Sequence, residues 1–301
     1  MADFKRVACI GEVMIELIAG AGNAAELNVA GDTYNTAGYL ARVTDGLRVD
    51  YVTVLGEDRF SDRILQHMDE NGIGTGAVAR HPSRTPGLYA IETDEAGERS
   101  FTYWRSASAA RTLFGEDGRT PLEVLRNYDL VLLTGISLAI LSPEQRARLF
   151  DGLDAYRAGG GLVAFDSNYR PHLWNDADLA RRETEAMWRR TDIALPSVDD
   201  EMALFGDADE AGVLARLASF GVTRGALKCG SDGPVDLGPG HARPDVQAAT
   251  RVVDTTAAGD SFNAGYLAGL VTGVPLTEAM VRGHDLALKV IAKRGAIVDL
   301  D

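Results

Sequence analysis

The residues of this chain best suited to chemistry lie together at 254–266, where Asp-Thr-Thr-Ala-Ala-Gly-Asp leads into Ser-Phe-Asn-Ala-Gly-Tyr. Arg251, Val252 and Val253 read as the end of a strand, and from Ser261 onward small and apolar residues suit a packed helix. The turn between them is expected to be a helix N-terminus. Ala257, Ala258 and Gly259 have little or no side chain, so a charged group can approach their backbone N–H donors, where the helix dipole favours negative charge. Asp260 would stand beside that anion. A carboxylate is a poor partner for an anion but a sensible base for taking the proton from an alcohol that attacks phosphorus. Taken alone, the run also suits a turn aspartate, a first-turn helix carboxylate and ordinary close packing.

Three other segments carry polar groups at useful places. Gly31, Asp32 and Asn35 fall just before an amphipathic helix, as either a hydroxyl-binding loop or a helix cap. Asn168 and Arg170 follow the apolar run 162–165, at the carboxyl end of an expected strand, where open α/β sheets bind ligands. Arg170 can grip a planar carboxylate or serve the scaffold, and Arg105, from a distant segment, could converge with it on one anionic group. Lys228 ends a further strand in a turn with Gly230, Ser231 and Gly233, which offers N–H groups and one cation to phosphates, or is a plain hairpin turn.

Other patterns lead nowhere. The glycines at 74 and 76 loosely fit a dinucleotide fingerprint, but they follow a helix end and not a strand. No P-loop motif occurs, and His67, His81, His172, His241 and His284 show no metal-ligand spacing, so surface or packing roles are expected for them. Cys9 and Cys229 suggest neither a disulfide framework nor a zinc site, and a reducing cytoplasm is expected. With 30 basic against 44 acidic residues the net charge is −14, which opposes binding to nucleic acid or to an anionic membrane. The apolar stretch 7–18 carries Glu12 and Glu16 and is too short and too charged to span a membrane.

The elements that must position these groups alternate. Buried-type strands are expected at 7–10, 51–55, 130–133, 162–165, 193–195 and 226–229, and helices at 34–43, 59–70, 143–157, 179–190 and 210–220. That order predicts an α/β fold with a mostly parallel central sheet and helices on both faces. No low-complexity linker divides the chain, so one domain over 1–301 is expected. The exception is 85–105, which reads as an antiparallel hairpin turning at 94–98 and bearing Tyr89, Tyr103, Trp104 and Arg105. It is either a lid over a site or an edge hairpin with surface aromatics.

Taken together, these segments resemble the PfkB, or ribokinase-like, family of carbohydrate kinases over nearly the whole chain. The run 254–266 resembles the family's second signature, although Ala257 stands where glycine is more usual. The loop at Gly31 resembles its sugar-binding motif, with Ala30 in place of the first glycine. The resemblance implies a ribokinase-like fold with a small β lid built from about 12–18 and 85–105. It implies that Asp260 is the catalytic base and that Gly31, Asp32, Asn35, Tyr89, Tyr103, Arg105, Arg170 and Asp260 hold the acceptor. Asn168, Lys228, Gly230, Ser231, Gly233, Ala257, Ala258 and Gly259 would hold ATP. Mg²⁺ is implied with the nucleotide, and K⁺ near the anion turn, but the family's Asn-x-x-Glu motif is altered around Ser197 to Glu201, so no metal ligand is assigned. Within the family the pattern Tyr103-Trp104-Arg105 with Arg170 implies a sugar-acid acceptor, 2-dehydro-3-deoxy-D-gluconate, phosphorylated on its 6-hydroxyl. The alternatives are another acceptor (ribose, fructose or 5-dehydro-2-deoxygluconate) or a non-catalytic sugar-acid sensor. A homodimer is also expected from the resemblance.

Overall fold

Short continuous apolar runs, buried on both faces, build the centre of the molecule. In the computed structural model, which describes residues 4–20, 22–93 and 99–300, the strands in chain order are β1 (Arg6–Ile10), β2 (Met14–Ala19), β3 (Ala25–Ala30) and β4 (Arg48–Gly56). They continue with β5 (Val78–His81), β6 (Gly87–Thr93), β7 (Arg99–Trp104), β8 (Leu130–Thr134) and β9 (Leu162–Asp166). Last come the two-residue β10 (Ile193–Ala194), β11 (Ala226–Leu227) and β12 (Val235–Asp236). Six of them form one sheet in the order β10-β9-β8-β1-β4-β5, every neighbouring pair parallel.

Because successive side chains point to opposite faces, each central strand feeds two cores. Val7 and Cys9 of β1 enter one and Ala8 and Ile10 the other; Leu130 and Leu132 of β8 oppose Val131 and Leu133 in the same way. The first core is closed by helices α1 (Asp32–Val43) and α2 (Arg59–Glu70), and by a C-terminal pair described below. The second is closed by α3 (Gly135–Ala139), α4 (Pro143–Ala158), α5 (Ala177–Trp188), α6 (Val198–Phe205) and α7 (Glu210–Ser219). The expected α/β architecture with helices on both faces is therefore found. No helix among the described residues is long and apolar enough to cross a membrane.

A second sheet, in the order β3-β2-β6-β7, stands beside the first. Its β6–β7 pair is the expected hairpin, with Leu88 opposite Trp104 and Tyr89 opposite Tyr103. The turn expected at 94–98 lies outside the described residues. Strand β2 falls on the lid segment expected at about 12–18, whereas β3 was not expected, since acidic and small residues interrupt its apolar pattern.

Two expectations fail locally. Arg251 to Val253 form no strand: Val252 and Val253 are exposed, and the Val253 N–H donates to the Ile291 carbonyl (2.8 Å) instead of to a sheet neighbour. The helix after the signature, α8 (Ala258–Val271), starts three residues earlier than expected, which places Gly259 and Asp260 inside its first turn. It packs tightly on α9 (Leu276–Ile291), closing the first core, because glycines line the contact. A Cβ on Gly265 would come within 2.6 Å of the Arg282 carbonyl oxygen and 2.8 Å of Gly283 Cα. Backbone on both sides leaves no room to yield. Gly265→Ala should therefore lower stability by about 1–3 kcal/mol in urea unfolding, and an unchanged midpoint would show that the helices can separate without cost.

Candidate active site

The polar groups singled out in the sequence meet where the two sheets face each other across a cleft of about 500 Å³. Its floor is the first turn of α8. Ala257, the residue before that helix, has φ +60°, a left-handed conformation that costs a non-glycine residue roughly 1–2 kcal/mol. That is the physical reason a glycine would suit this position. The turn is tied by Asp254, whose carboxylate accepts from the N–H of Thr256 (3.0 Å) and of Gly295 (2.8 Å). Asp254 thus organises the turn, and the first N–H groups of α8, which have no partner within the helix, are directed at the cleft.

Asp260 lies in that first turn, half-buried, with one side open to the cleft. Asn35 Nδ2 donates to its Oδ2 (2.8 Å), and Thr36 Oγ1 donates to its backbone carbonyl (3.1 Å), so α1 holds it from the other side. Burial pushes the Asp260 carboxyl up to about 8; Asp32 adds to the rise and the Asn35 hydrogen bond opposes it. Water entering the open side would relieve part of that shift. Gly31 precedes α1 because a Cβ there would meet the Glu12 carbonyl oxygen at 2.4 Å. Asp32 opens the helix and accepts from the Thr134 hydroxyl and from Asn168 Nδ2 (3.0 Å).

The two arginines face the same cleft, and each also holds a carboxylate of the protein. Arg105 donates through Nε to Glu12 Oε2 (2.7 Å) in a buried ion pair, and Arg170 meets Asp200 at 3.3 Å at the half-exposed rim. Arg105 Nη2 also lies in ion-pair contact with Glu12 Oε2, and Glu12 Oε1 is buried without a hydrogen-bond donor. A guanidinium carries five N–H donors, more than the Glu12 contact uses, so Arg105 at the wall of the cleft keeps capacity for a further carboxylate or phosphate oxygen. Above it, Tyr89 and Tyr103 lie with ring centres 5.7 Å apart, and the Tyr89 hydroxyl donates to Glu16 (2.5 Å).

A second cavity, about 410 Å³, adjoins the first. Gly230, Ser231 and Gly233 line it, and Ser197, Lys228, Thr255, Ala258 and Gly259 line both cavities. Lys228 is held there by Asp166 (2.5 Å) and Asn263 Oδ1 (3.1 Å), while Asn263 Nδ2 also donates to Asp166 (2.7 Å). Asn168, expected with the nucleotide, instead lies on the first cleft with Asp32. The apolar wall of the second cavity, including Ala249, Val252, Phe262, Leu288 and Ile291, went unrecognised, because no local pattern marks residues that meet only through the α8–α9 packing. His172, set aside in the sequence, also lines the first cleft.

Among the described residues no group of three His, Cys, Asp or Glu side chains could cage a metal. Asp199 faces the second cavity and Asp200 the first, both in the first turn of α6. Glu201 is turned inward to Arg216 (2.9 Å), and its burial raises the carboxyl to about 7.

The raised Asp260 carboxyl has a sign that can be tested. Folding strengthens proton binding at this group, so its contribution favours the fold below the unfolded value near 4 and is lost as pH climbs to about 8. Asp260→Asn removes that loss. The variant should be more stable than the parent at pH 8 by about 1–3 kcal/mol and no more stable near pH 4; denaturant unfolding at the two pH values measures it, and parallel pH profiles would refute the buried-carboxyl argument.

Known proteins of like sequence and shape accord with this geometry. The model of the pfkB family of carbohydrate kinases matches residues 5–301. A 2-dehydro-3-deoxygluconokinase of Escherichia coli K12 is 44% identical over 301 residues, covering 98% of this chain and 97% of that protein. One from Dickeya dadantii is 44% identical over 306 residues, covering 99% and 98%. Among solved structures, a 2-dehydro-3-deoxygluconokinase from Thermotoga maritima superimposes with a TM-score of 0.86 at 19% identity, covering 98% of this chain and 95% of that one, a likeness of fold. The two-cavity cleft is built on a ribokinase-like scaffold, and this chain belongs to the pfkB family of carbohydrate kinases.

Proposed function

We propose that the chain is a 2-dehydro-3-deoxygluconokinase, transferring the γ-phosphoryl group of ATP to the 6-hydroxyl of 2-dehydro-3-deoxy-D-gluconate. The observation that carries the phosphoryl-transfer part is the junction of the two cavities at Lys228, Thr255, Ala258 and Gly259. One chamber is walled by apolar groups suited to a nucleotide base, the other by hydroxyl-binding and charged groups, and a helix N-terminus lies where they meet. The acceptor is supported by the names of relatives 44% identical over nearly the whole chain and by Arg105 and Arg170 in the acceptor chamber.

In this reading the sugar acid enters the first cleft with its carboxylate toward Arg105 and Arg170 and its chain along Gly31, Asp32, Asn35, Tyr89 and Tyr103. Its far hydroxyl then reaches Asp260. As the hydroxyl oxygen bonds to the γ-phosphorus, its proton passes to Asp260 and the bond to the ADP oxygen breaks. N–H groups at Ala257, Ala258 and Gly259 stabilise the charge on the phosphoryl oxygens in flight. Lys228 and the Gly230–Gly233 turn hold the nucleotide phosphates, with Asn168 bracing Asp32. A carboxyl near 8 favours the protonated form; an acceptor hydroxyl donating to it, and Lys228 nearby, both favour the ionised base. Mg²⁺ suits this site as an ion arriving on the phosphates with most of its ligands from phosphate and water, and it would offset their charge. Asp199 and Asp200 are the residues placed to meet its water shell.

The second sheet, with the segments 12–18 and 85–105, serves as a lid on a single kinase domain and limits attack by water. A K⁺ ion near the anion turn and a homodimer are carried by family resemblance, and a cytoplasmic location by the cysteine usage.

ADP release measured across 2-dehydro-3-deoxy-D-gluconate, 5-dehydro-2-deoxygluconate, ribose and fructose tests the acceptor. The first should give the highest kcat/KM, and a higher value for either neutral sugar would overturn the assignment. Arg105→Ala and Arg170→Ala should each weaken sugar-acid binding by about 1.5–3 kcal/mol, read as KM; unchanged KM in both would remove the carboxylate role. Asp260→Asn should cut kcat by about 10²–10⁴, and a variant with parental turnover would show that the base lies elsewhere.

A further inference from the structure

His172 is an exposed side chain in the short turn Pro171–Leu173, two residues beyond Arg170, and it lines the acceptor cleft. Its ring stacks on Tyr103 with centres 5.6 Å apart and planes 28° from parallel. Tyr103 in turn packs at a tilt against Tyr89 with centres 5.7 Å apart, so the imidazole extends an aromatic wall of the second sheet onto the loop that follows β9. Nothing in the packing of the core requires an imidazole at this exposed rim.

The charges facing it are unusual. Arg105, at the end of β7, and Arg170, on its own loop, flank the ring; Asp200 of α6 partly offsets Arg170, and Asp260 faces it across the cleft. Partial burial lowers the proton affinity of His172 below the ordinary imidazole value, and the fields of Arg105 and Arg170 lower it further. Burial and the two guanidinium groups thus both favour the neutral ring. An anionic group seated between them cancels that field, and the ring then gains by protonating and donating a charged hydrogen bond of its own.

We propose that His172 is a specificity-determining residue, which binds the carboxylate of the sugar acid as a third cationic donor beside Arg105 and Arg170 while its stack on Tyr103 holds it at the rim. The proposal rests on the sugar-acid reading given above. It makes acceptor binding proton-linked: the ring takes up a proton when the carboxylate arrives, so the acid binds more tightly at low pH, whereas a neutral sugar gains nothing from that protonation. Asp260 also titrates with pH, but on the hydroxyl being phosphorylated, and it is unchanged in variants of His172.

The test measures KM and kcat for 2-dehydro-3-deoxy-D-gluconate at saturating ATP from about pH 6 to about pH 8 in the parent, His172→Phe and His172→Gln. Phenylalanine keeps the stack without a donor; glutamine keeps a neutral donor without a titration. In the parent KM should rise about three- to tenfold over this range, and in both variants it should stay near the parent's high-pH value. The kcat profile should keep its shape in all three. Calorimetry in buffers of differing ionisation heat should show proton uptake on binding by the parent, with that uptake reduced in both variants. A pH-independent KM in the parent, or the same pH-dependent KM in His172→Phe, would overturn the role. If the parent instead prefers fructose or ribose to the sugar acid, it is the acceptor assignment that fails, an outcome separable from the first because it appears without any variant.

Discussion

The crossing of α1 over the start of α8 is the contact on which the site depends. Asn35 and Asp260 are remote in sequence, yet a 2.8 Å hydrogen bond joins them, and Thr36 secures the backbone of the same aspartate. This crossing puts a carboxylate beside the loop suited to hydroxyls and aims the first N–H groups of α8 between two cavities. Separated, the two segments are a capped helix and a polar turn. Joined, they form an acceptor site whose reactive hydroxyl and incoming phosphoryl group share one floor.

Holding that floor together is an electrostatic problem. Asp32, Asp166 and Asp260 share one cleft in a chain of net charge −14, where mutual repulsion and loss of water both oppose ionisation. The structure answers with fixed donors for each. Thr134 and Asn168 bond to Asp32, Lys228 and Asn263 to Asp166, and Asn35 to Asp260. Asp260 receives the fewest of these and carries the raised proton affinity. A group that must accept and return a proton benefits from that position, whereas a purely structural carboxylate would be better satisfied.

Much of this was legible in the sequence, for reasons that differ by segment. The central strands announce themselves because both faces are buried, which leaves continuous apolar runs at 7–10, 130–133 and 162–165. The anion turn is visible because small residues, a helix start and a carboxylate are consecutive. What stayed hidden is what depends on distant partners. Strand β3 has mixed composition, with exposed polar residues along most of its length. Glu12 reads as a charge in an apolar stretch, and only the fold reveals it as the buried partner of Arg105. His172 looked like a surface residue because its neighbours Tyr103 and Arg105 come from the other sheet. The wall around Val252 and Ile291 forms only after α9 returns against α8. Val252 and Val253 misled in the opposite direction: β-branched residues in sequence resemble a strand, but no edge lies within reach to pair them.

The product itself tests the central claim most directly. After the purified protein has turned over ATP and 2-dehydro-3-deoxy-D-gluconate, phosphorus and carbon NMR of the product should show one new phosphate ester coupled to C6, formed in equal amount to ADP. An ester at another carbon, or ADP released as inorganic phosphate appears with no ester, would contradict the account of how Asp260 and the two cavities are arranged.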